Sequence, residues 1–407
     1  MLTQHLLAQL LEDPRLRQIP QQLQFGQRHF VLTGLTPSAK PAYLAVLHRV
    51  LNQPILYVGV DNQRLEEFRQ ATCFFHRMLS NKDDEAVAGF PALEPGSHSG
   101  FSPHAEVLEQ RALTLWRLFQ NRVDILLAPP AALLTRMADA RTAFAAAPQL
   151  AVGVELPPEE LAQFLLRSGY IRQEPVSSVG AFSMRGGILD VFPPNSENPL
   201  RIEFFGDEIE SLREFSVKSQ RSIGPVQKLN LPPMRELAID PEQLRRWSEL
   251  AELTFPQEQY GEFLASQGIR ARNGEAFPGC EYLLPSVAPL EKTLLDFAPD
   301  FFLIFDEPQD LNRWFDSWSA KNERDFSDQR LMGVPANPPS TLFLDGADLA
   351  GALRPRKTVL LDQLGTSPLP TGLLGRATQN LELSSAENAE SQHPTGLERE
   401  SATSSSC

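Results

Sequence analysis

The segment His29-Phe-Val-Leu-Thr-Gly-Leu-Thr-Pro-Ser-Ala-Lys-Pro41 is an apolar strand, a short loop and the start of a helix. Gly34 and Lys40 stand at the spacing of a phosphate-binding loop, GxxxxGK[ST]. In a working loop the second glycine lets backbone amides approach the phosphates, the lysine reaches the β and γ phosphates, and a Ser or Thr hydroxyl holds Mg²⁺. Here Ala39 adds a Cβ at the point of closest approach, and Pro41 supplies neither a hydroxyl nor an amide N–H. The frame of a nucleotide-binding fold is present without its chemistry.

Outward from this segment, strand and helix signals alternate. Strands are expected at His29–Thr33, Pro54–Val60 and Val123–Ala128, and helices at Pro41–Leu51, Gln63–Leu79 and Ala105–Gln120. This order predicts a parallel sheet with helices on its faces. Much later, Phe301-Phe-Leu-Ile-Phe305 has the form of a buried parallel strand, and Asp306-Glu307 at its carboxyl end would be the acidic pair on the Mg²⁺ side of the loop. Gly34, Lys40, Asp306 and Glu307 are therefore the candidate remnant of a nucleotide site.

Between these parts the pattern changes, from about Ala151. A helix over Glu159–Leu166 stops near Gly169, and β-rich stretches follow at Gly180–Phe192 and Leu200–Phe215. Leu200-Arg-Ile-Glu-Phe-Phe205 alternates at period two and turns at Gly206-Asp207. A small α+β unit inserted in the larger fold is expected. Helices return at Pro241–Leu253 and Gln257–Gln267. From Thr366 the chain is rich in Ser, Thr, Gly, Asn and Glu, and about its last 35 residues are expected to be disordered.

The 407 residues carry a formal charge of −14, which repels a phosphodiester backbone, so no direct DNA binding is expected. Cys73, Cys280 and Cys407 form no CxxC pair, which suits a reducing compartment. Leu2, Leu6, Leu7, Leu10 and Leu11 recur at helical spacing, an amphipathic helix in place of a signal peptide. Neither Val123–Leu134 nor Phe301–Phe305 approaches the roughly 20 apolar residues of a membrane span. The expectation is a soluble, cytoplasmic protein with no membrane partner.

Other chemistries find little support. His98 and His104 lack the Cys or carboxylate set of a zinc site. Gly96-Ser-His-Ser-Gly100 has His98 where a nucleophile elbow carries its serine, and no strand precedes it. Asp207, Glu208 and Glu210 are paired acids on a turn and strand, where solvated charge is the ordinary reading.

Several segments together resemble one family. Phe101-Ser-Pro-His104 with Glu106, Arg111 and Leu115, then Met184-Arg-Gly-Gly-Ile-Leu-Asp-Val-Phe-Pro193, then Leu200 to Phe215 with Ser219-Gln-Arg221, and finally Pro278-Gly279 with Glu281-Tyr282 and Pro285, are similar to the N-terminal region of bacterial transcription-repair-coupling factors (Mfd). The likeness covers roughly residues 25 to 360.

The resemblance implies an α/β fold in which a degenerate P-loop, helicase-like parallel-sheet body is split by an inserted β-rich α+β module and followed by a disordered tail. Residues 1–145 and 236–365 would be the body, 146–235 the module, and 366–407 the tail. The module would bind UvrA; in UvrB the phosphate loop is intact, whereas the coupling factors have lost nucleotide chemistry in this region. Other domains of a full-length coupling factor are further implied partners. The polymerase-binding and translocase regions of full coupling factors have no counterpart in this sequence, so their activities are not carried over.

A non-enzymatic adaptor of nucleotide excision repair is thus expected, with no catalytic residues, cofactor or metal. Its candidate partner-binding residues are Arg172, Phe182, Arg185 and Arg201. Arg185 stands where the family places a UvrA-contacting arginine, and Arg172 lies near a second such position. Arg213 is a further arginine of the same surface. Two alternatives stand beside this: residual nucleotide binding or ATPase activity through Lys40, Asp306 and Glu307, and a truncated fragment without independent function.

Overall fold

The computed structural model describes residues 2–80, 82–93, 101–236, 239–363 and 378–382. Its body is a parallel sheet in the order Thr378–Glu382, His29–Thr33, Thr358–Asp362, Phe302–Asp306, Ile55–Val58, Ile125–Ala128, Val87–Gly89. Ile55–Val58 and Ile125–Ala128 are buried at every position, because helices cover both faces of the sheet. On one face Phe30, Leu32, Tyr57, Leu127 and Ile304 pack with Leu44 and Leu47 of the helix Lys40–Leu51 and with Leu65 of the helix Asn62–Ser80. On the other, Val31, Leu56, Val58, Leu126 and Phe305 pack with Leu115 and Trp116 of the helix Ala105–Phe119 and with Leu349 and Leu353 of the helix Gly346–Leu353.

Strand order ties the two ends of the chain into one sheet. Thr358–Asp362 pairs with His29–Thr33, and Phe302–Asp306 pairs with Ile55–Val58. The chain therefore leaves the body after its first strands and returns to complete the middle of the same sheet.

What lies between is a second sheet with its own core. Its order is Ser222–Pro225, Glu208–Phe215, Leu200–Phe205, Ile188–Val191, Ala181–Arg185, Ile171–Arg172, antiparallel except for the last pair. Phe182, Leu189, Val191, Leu200, Ile202 and Leu212 form one face and close over Leu161 and Leu165 of the helix Pro158–Arg167. A further helical cluster, centred on Trp247, Tyr260 and Phe277, follows the module. The expected helix Gln257–Gln267 runs as Gln257–Phe263 and then widens into a π turn over Leu264–Gly268.

Of the sequence after residue 363, only Thr378–Glu382 is described, as a strand parallel to His29–Thr33. The rest of the stretch expected to be disordered lies outside the described residues, as do His98 and the Gly96–Gly100 segment. No described helix is long and apolar enough to cross a membrane.

Candidate functional site

The remnant of the phosphate loop sits at the carboxyl end of the body sheet. Lys40 opens its helix and is only 3% exposed. Its Nζ lies 2.6 Å from Asp306 Oδ1 and 3.0 Å from Glu307 Oε1. Tyr57 Oη donates to the other Asp306 oxygen at 2.6 Å. Burial, reinforced by the Asp306 carboxylate, pushes the Tyr57 phenol well above its usual pKa, so it remains a donor. The Glu307 carboxylate also accepts the Gln363 N–H at 3.2 Å.

Sequence-adjacent backbone is turned inward as well. The Gly34 N–H donates to the Asp362 carbonyl at 3.2 Å, and the Ala39 N–H to Thr36 at 3.0 Å. Gly59 packs so closely on Asp306 that a Cβ there would meet the aspartate Cβ at 2.3 Å. The structure thus brings Lys40, Asp306 and Glu307 together, with Gly34 just past the end of His29–Thr33, two strands from Asp306 with Thr358–Asp362 between. One ammonium faces two carboxylates, so the positions that would hold phosphate and Mg²⁺ are closed on each other as an ion-paired cluster.

The module's arginines occupy different environments. Arg185 is exposed, with its side chain 64% accessible and paired to Glu174. Arg172, on the edge strand, is exposed and makes no ion pair among the described residues. Arg201 instead forms a two-pronged pair with Asp190, Nε to Oδ1 and Nη2 to Oδ2 both at 2.8 Å, and lies 4.8 Å over the Phe215 ring. Asp190 and Arg201 are cross-strand partners in the ladder, so this fork pins register. Arg213 reaches Glu203 at 3.1 Å.

Phe182 is a correction. The sequence offers it as a partner-binding residue, but it is 1% exposed at an inward position of its strand, packed within the module core. Period-two alternation sends Phe182 and Met184 to one face and Ser183 and Arg185 to the other.

The same alternation identifies residues that the sequence reading missed. With Leu200 and Ile202 inward, Phe205 falls on the outward face, and it is 79% exposed. Ile188, the cross-strand partner of Arg185, is also exposed. Ile188 pairs with Glu203, two residues before Phe205, so Arg185, Ile188 and Phe205 share one face near the turns Gly186-Gly187 and Gly206-Asp207. Gly186 has φ +57, a left-handed turn position that favours glycine. Asp207, Glu208 and Glu210 are exposed on the adjoining hairpin, as solvated charge. His104 precedes the helix Ala105–Phe119, exposed and far in sequence from any ligand set.

Residues 149–237 match the family described as the UvrB interaction domain. The chain is 30% identical over 341 residues to a transcription-repair-coupling factor of Myxococcus xanthus, covering 82% of this chain and 28% of the relative. It is 33% identical over 224 residues to that of Bacillus subtilis, covering 55% and 18%, and 28% identical over 343 residues to that of Escherichia coli, covering 84% and 28%. The chain therefore spans less than a third of the length of these relatives.

Proposed function

Because this chain is similar, over most of its length, to the N-terminal UvrB-like region of transcription-repair-coupling factors, we propose that it is a non-enzymatic adaptor that binds UvrA through its inserted module. In this reading residues 146–235 are the docking module, and 1–145 with 236–365 are the scaffold that carries it. The observation that carries it is the outward cluster of Arg185, Ile188 and Phe205, where an exposed guanidinium stands beside two unpacked apolar side chains. Arginine gives bidentate, orientation-setting contacts to carboxylates, and a flanking aromatic supplies buried area once a partner covers it. Arg172, exposed on the edge strand in register with Phe182, lies on the other face of the sheet from Arg185 and would meet a partner only over the sheet edge. Arg201 takes no direct part; it braces the sheet from which Arg185 projects.

Against nucleotide use stand the Cβ that Ala39 places at the point of closest approach and the missing amide and hydroxyl at Pro41. No cofactor is required, and docking needs no contact with DNA. The test is capture of purified UvrA by the full chain at low salt, comparing wild type with Arg185→Ala. Retention by wild type and loss in the variant supports the reading; absence of capture by wild type ends it.

A further inference from the structure

At the opposite end of the body sheet from Lys40, three side chains far apart in sequence converge. His48 stands in the last turn of the helix Lys40–Leu51, His76 near the end of the helix Asn62–Ser80, and Asp124 immediately before the strand Ile125–Ala128. The two imidazole Nε2 atoms lie 3.5 Å and 3.1 Å from the same carboxylate oxygen, Asp124 Oδ2. We propose that His48, His76 and Asp124 form a binding site for a divalent cation of the Zn²⁺ class.

The hydrogen bonds behind each ring fix which nitrogen faces the carboxylate. His48 Nδ1 lies 3.0 Å from the Gln53 carbonyl, which can only accept, so Nδ1 carries the proton. His76 Nδ1 lies 3.1 Å from Ser80 Oγ, whose own hydrogen is given to the His76 carbonyl at 2.8 Å, so here too Nδ1 is the donor. With both Nε2 atoms unprotonated, two lone pairs point at one carboxylate oxygen, an arrangement of three electron-rich atoms that a cation between them would bridge. Metal-bound histidines are held in the same way, with the other ring nitrogen donating to a carbonyl or polar acceptor.

Spacing and donor type agree with this. Zn–N and Zn–O bonds of about 2.0–2.2 Å put tetrahedral ligand atoms about 3.3 Å apart, which the two imidazole–carboxylate separations of 3.1 and 3.5 Å match; the two imidazole nitrogens, within 4.8 Å of each other, would close on a bound ion. Two imidazoles and one carboxylate suit Zn²⁺ and its first-row neighbours and are poor for Mg²⁺ or Ca²⁺. The adjoining cleft, lined by Asn52, Gln53, Ser80 and Lys82, leaves a side from which water can complete the coordination.

Lys82 is the competitor. Its Nζ lies 2.8 Å from Asp124, but its side chain is more than half exposed and can swing into water when a dication arrives. The proposal therefore makes Lys82 a residue whose removal should strengthen metal binding.

The test uses the full chain, without an affinity tag and stripped with a chelator, titrated with Zn²⁺ by calorimetry and with Co²⁺ by visible absorption. Wild type should take up one equivalent with a tetrahedral Co²⁺ spectrum. His48→Gln and Asp124→Asn, folded by circular dichroism, should bind at least about 10-fold more weakly, and Lys82→Ala more tightly. No saturable uptake by wild type would leave a purely protonated His–Asp cluster and overturn the site. Uptake unchanged in both ligand variants would move it elsewhere. If those variants do not fold, affinity unaltered in Lys82→Ala overturns the site as well.

Discussion

The guanidinium of Arg111, which has no exposed surface, is held against Glu236, with Nη2 at 3.0 Å and Nε at 3.1 Å from Oε1. Arg111 also donates to the Pro91 carbonyl at 2.8 Å and lies 4.1 Å over the Phe90 ring. This pair joins a helix of the first body segment to the chain as it leaves the module. A buried charge left without its partner costs about 3–5 kcal/mol, whereas replacing both by apolar groups is often neutral. Arg111→Ala should destabilise by about that amount in urea unfolding, and Arg111→Met with Glu236→Leu should recover most of it. A single variant within about 1 kcal/mol of wild type would mean that the pair is not a joint.

The module's arginines should separate into two phenotypes. Arg185→Glu should abolish UvrA capture while leaving thermal stability within about 0.5 kcal/mol of wild type, as expected for an exposed side chain. Arg201→Ala removes the fork to Asp190 and the stacking on Phe215, and should cost about 1–3 kcal/mol. Stability and capture measured on the same preparations decide it: equal stability losses in the two variants would contradict the division of roles.

Much of the body was legible because its strands are short apolar runs bounded by loops and its helices have 3.6-residue apolar spacing. His29–Thr33, Ile55–Val58 and Ile125–Ala128 fall within or at the edges of the expected segments. Val87–Gly89 was not visible, since three small residues carry no periodicity. Thr358–Asp362 was missed for a related reason: its apolar run is only Val359-Leu-Leu361, and its place beside His29–Thr33 depends on a long-range pairing. At the site, spacing located Lys40 and Asp306 but not their direct ion pair, which depends on sheet order. Phe182 shows the opposite failure. An aromatic residue in a short strand suits a core and an interface alike, and only the pairing of Phe182 with Val191, and of Val191 with Leu200, places it inside.

The Lys40 cluster should behave as a structural element. Lys40→Met leaves Asp306 and Glu307 without their cation at a mostly buried position, and should destabilise by about 3 kcal/mol, the lower end for a broken buried pair because both carboxylates retain some exposure. Millimolar Mg²⁺-ATP should not raise the melting temperature of wild type, since binding at 100 times a dissociation constant would add about 2.7 kcal/mol and could not be overlooked. A clear nucleotide-dependent rise, lost in Lys40→Met, would restore the nucleotide reading.

Cys280 supplies the last test. Its thiol is fully buried in the helical cluster around Trp247, and burial, with the neighbouring Glu281 carboxylate, pushes its pKa up to about 12. An unfolded thiol loses its proton near 8.5. Between these values the unfolded chain binds fewer protons than the folded one, so stability falls as pH rises, by up to about 1.4 kcal/mol per pH unit for one such group. The effect is absent below pH 8 and present from about 9 to 12. Cys73 and the buried tyrosines are shifted upward too and add to the same decline. The informative quantity is therefore the difference between wild type and Cys280→Ala in urea midpoints at pH 8, 9, 10 and 11: the wild-type curve should fall more steeply. In parallel, iodoacetamide at pH 8 should leave Cys280 unmodified until urea unfolds the chain. Parallel stability curves, or alkylation of the native protein at the rate of a free peptide thiol, would show that this sulfur is reached by water.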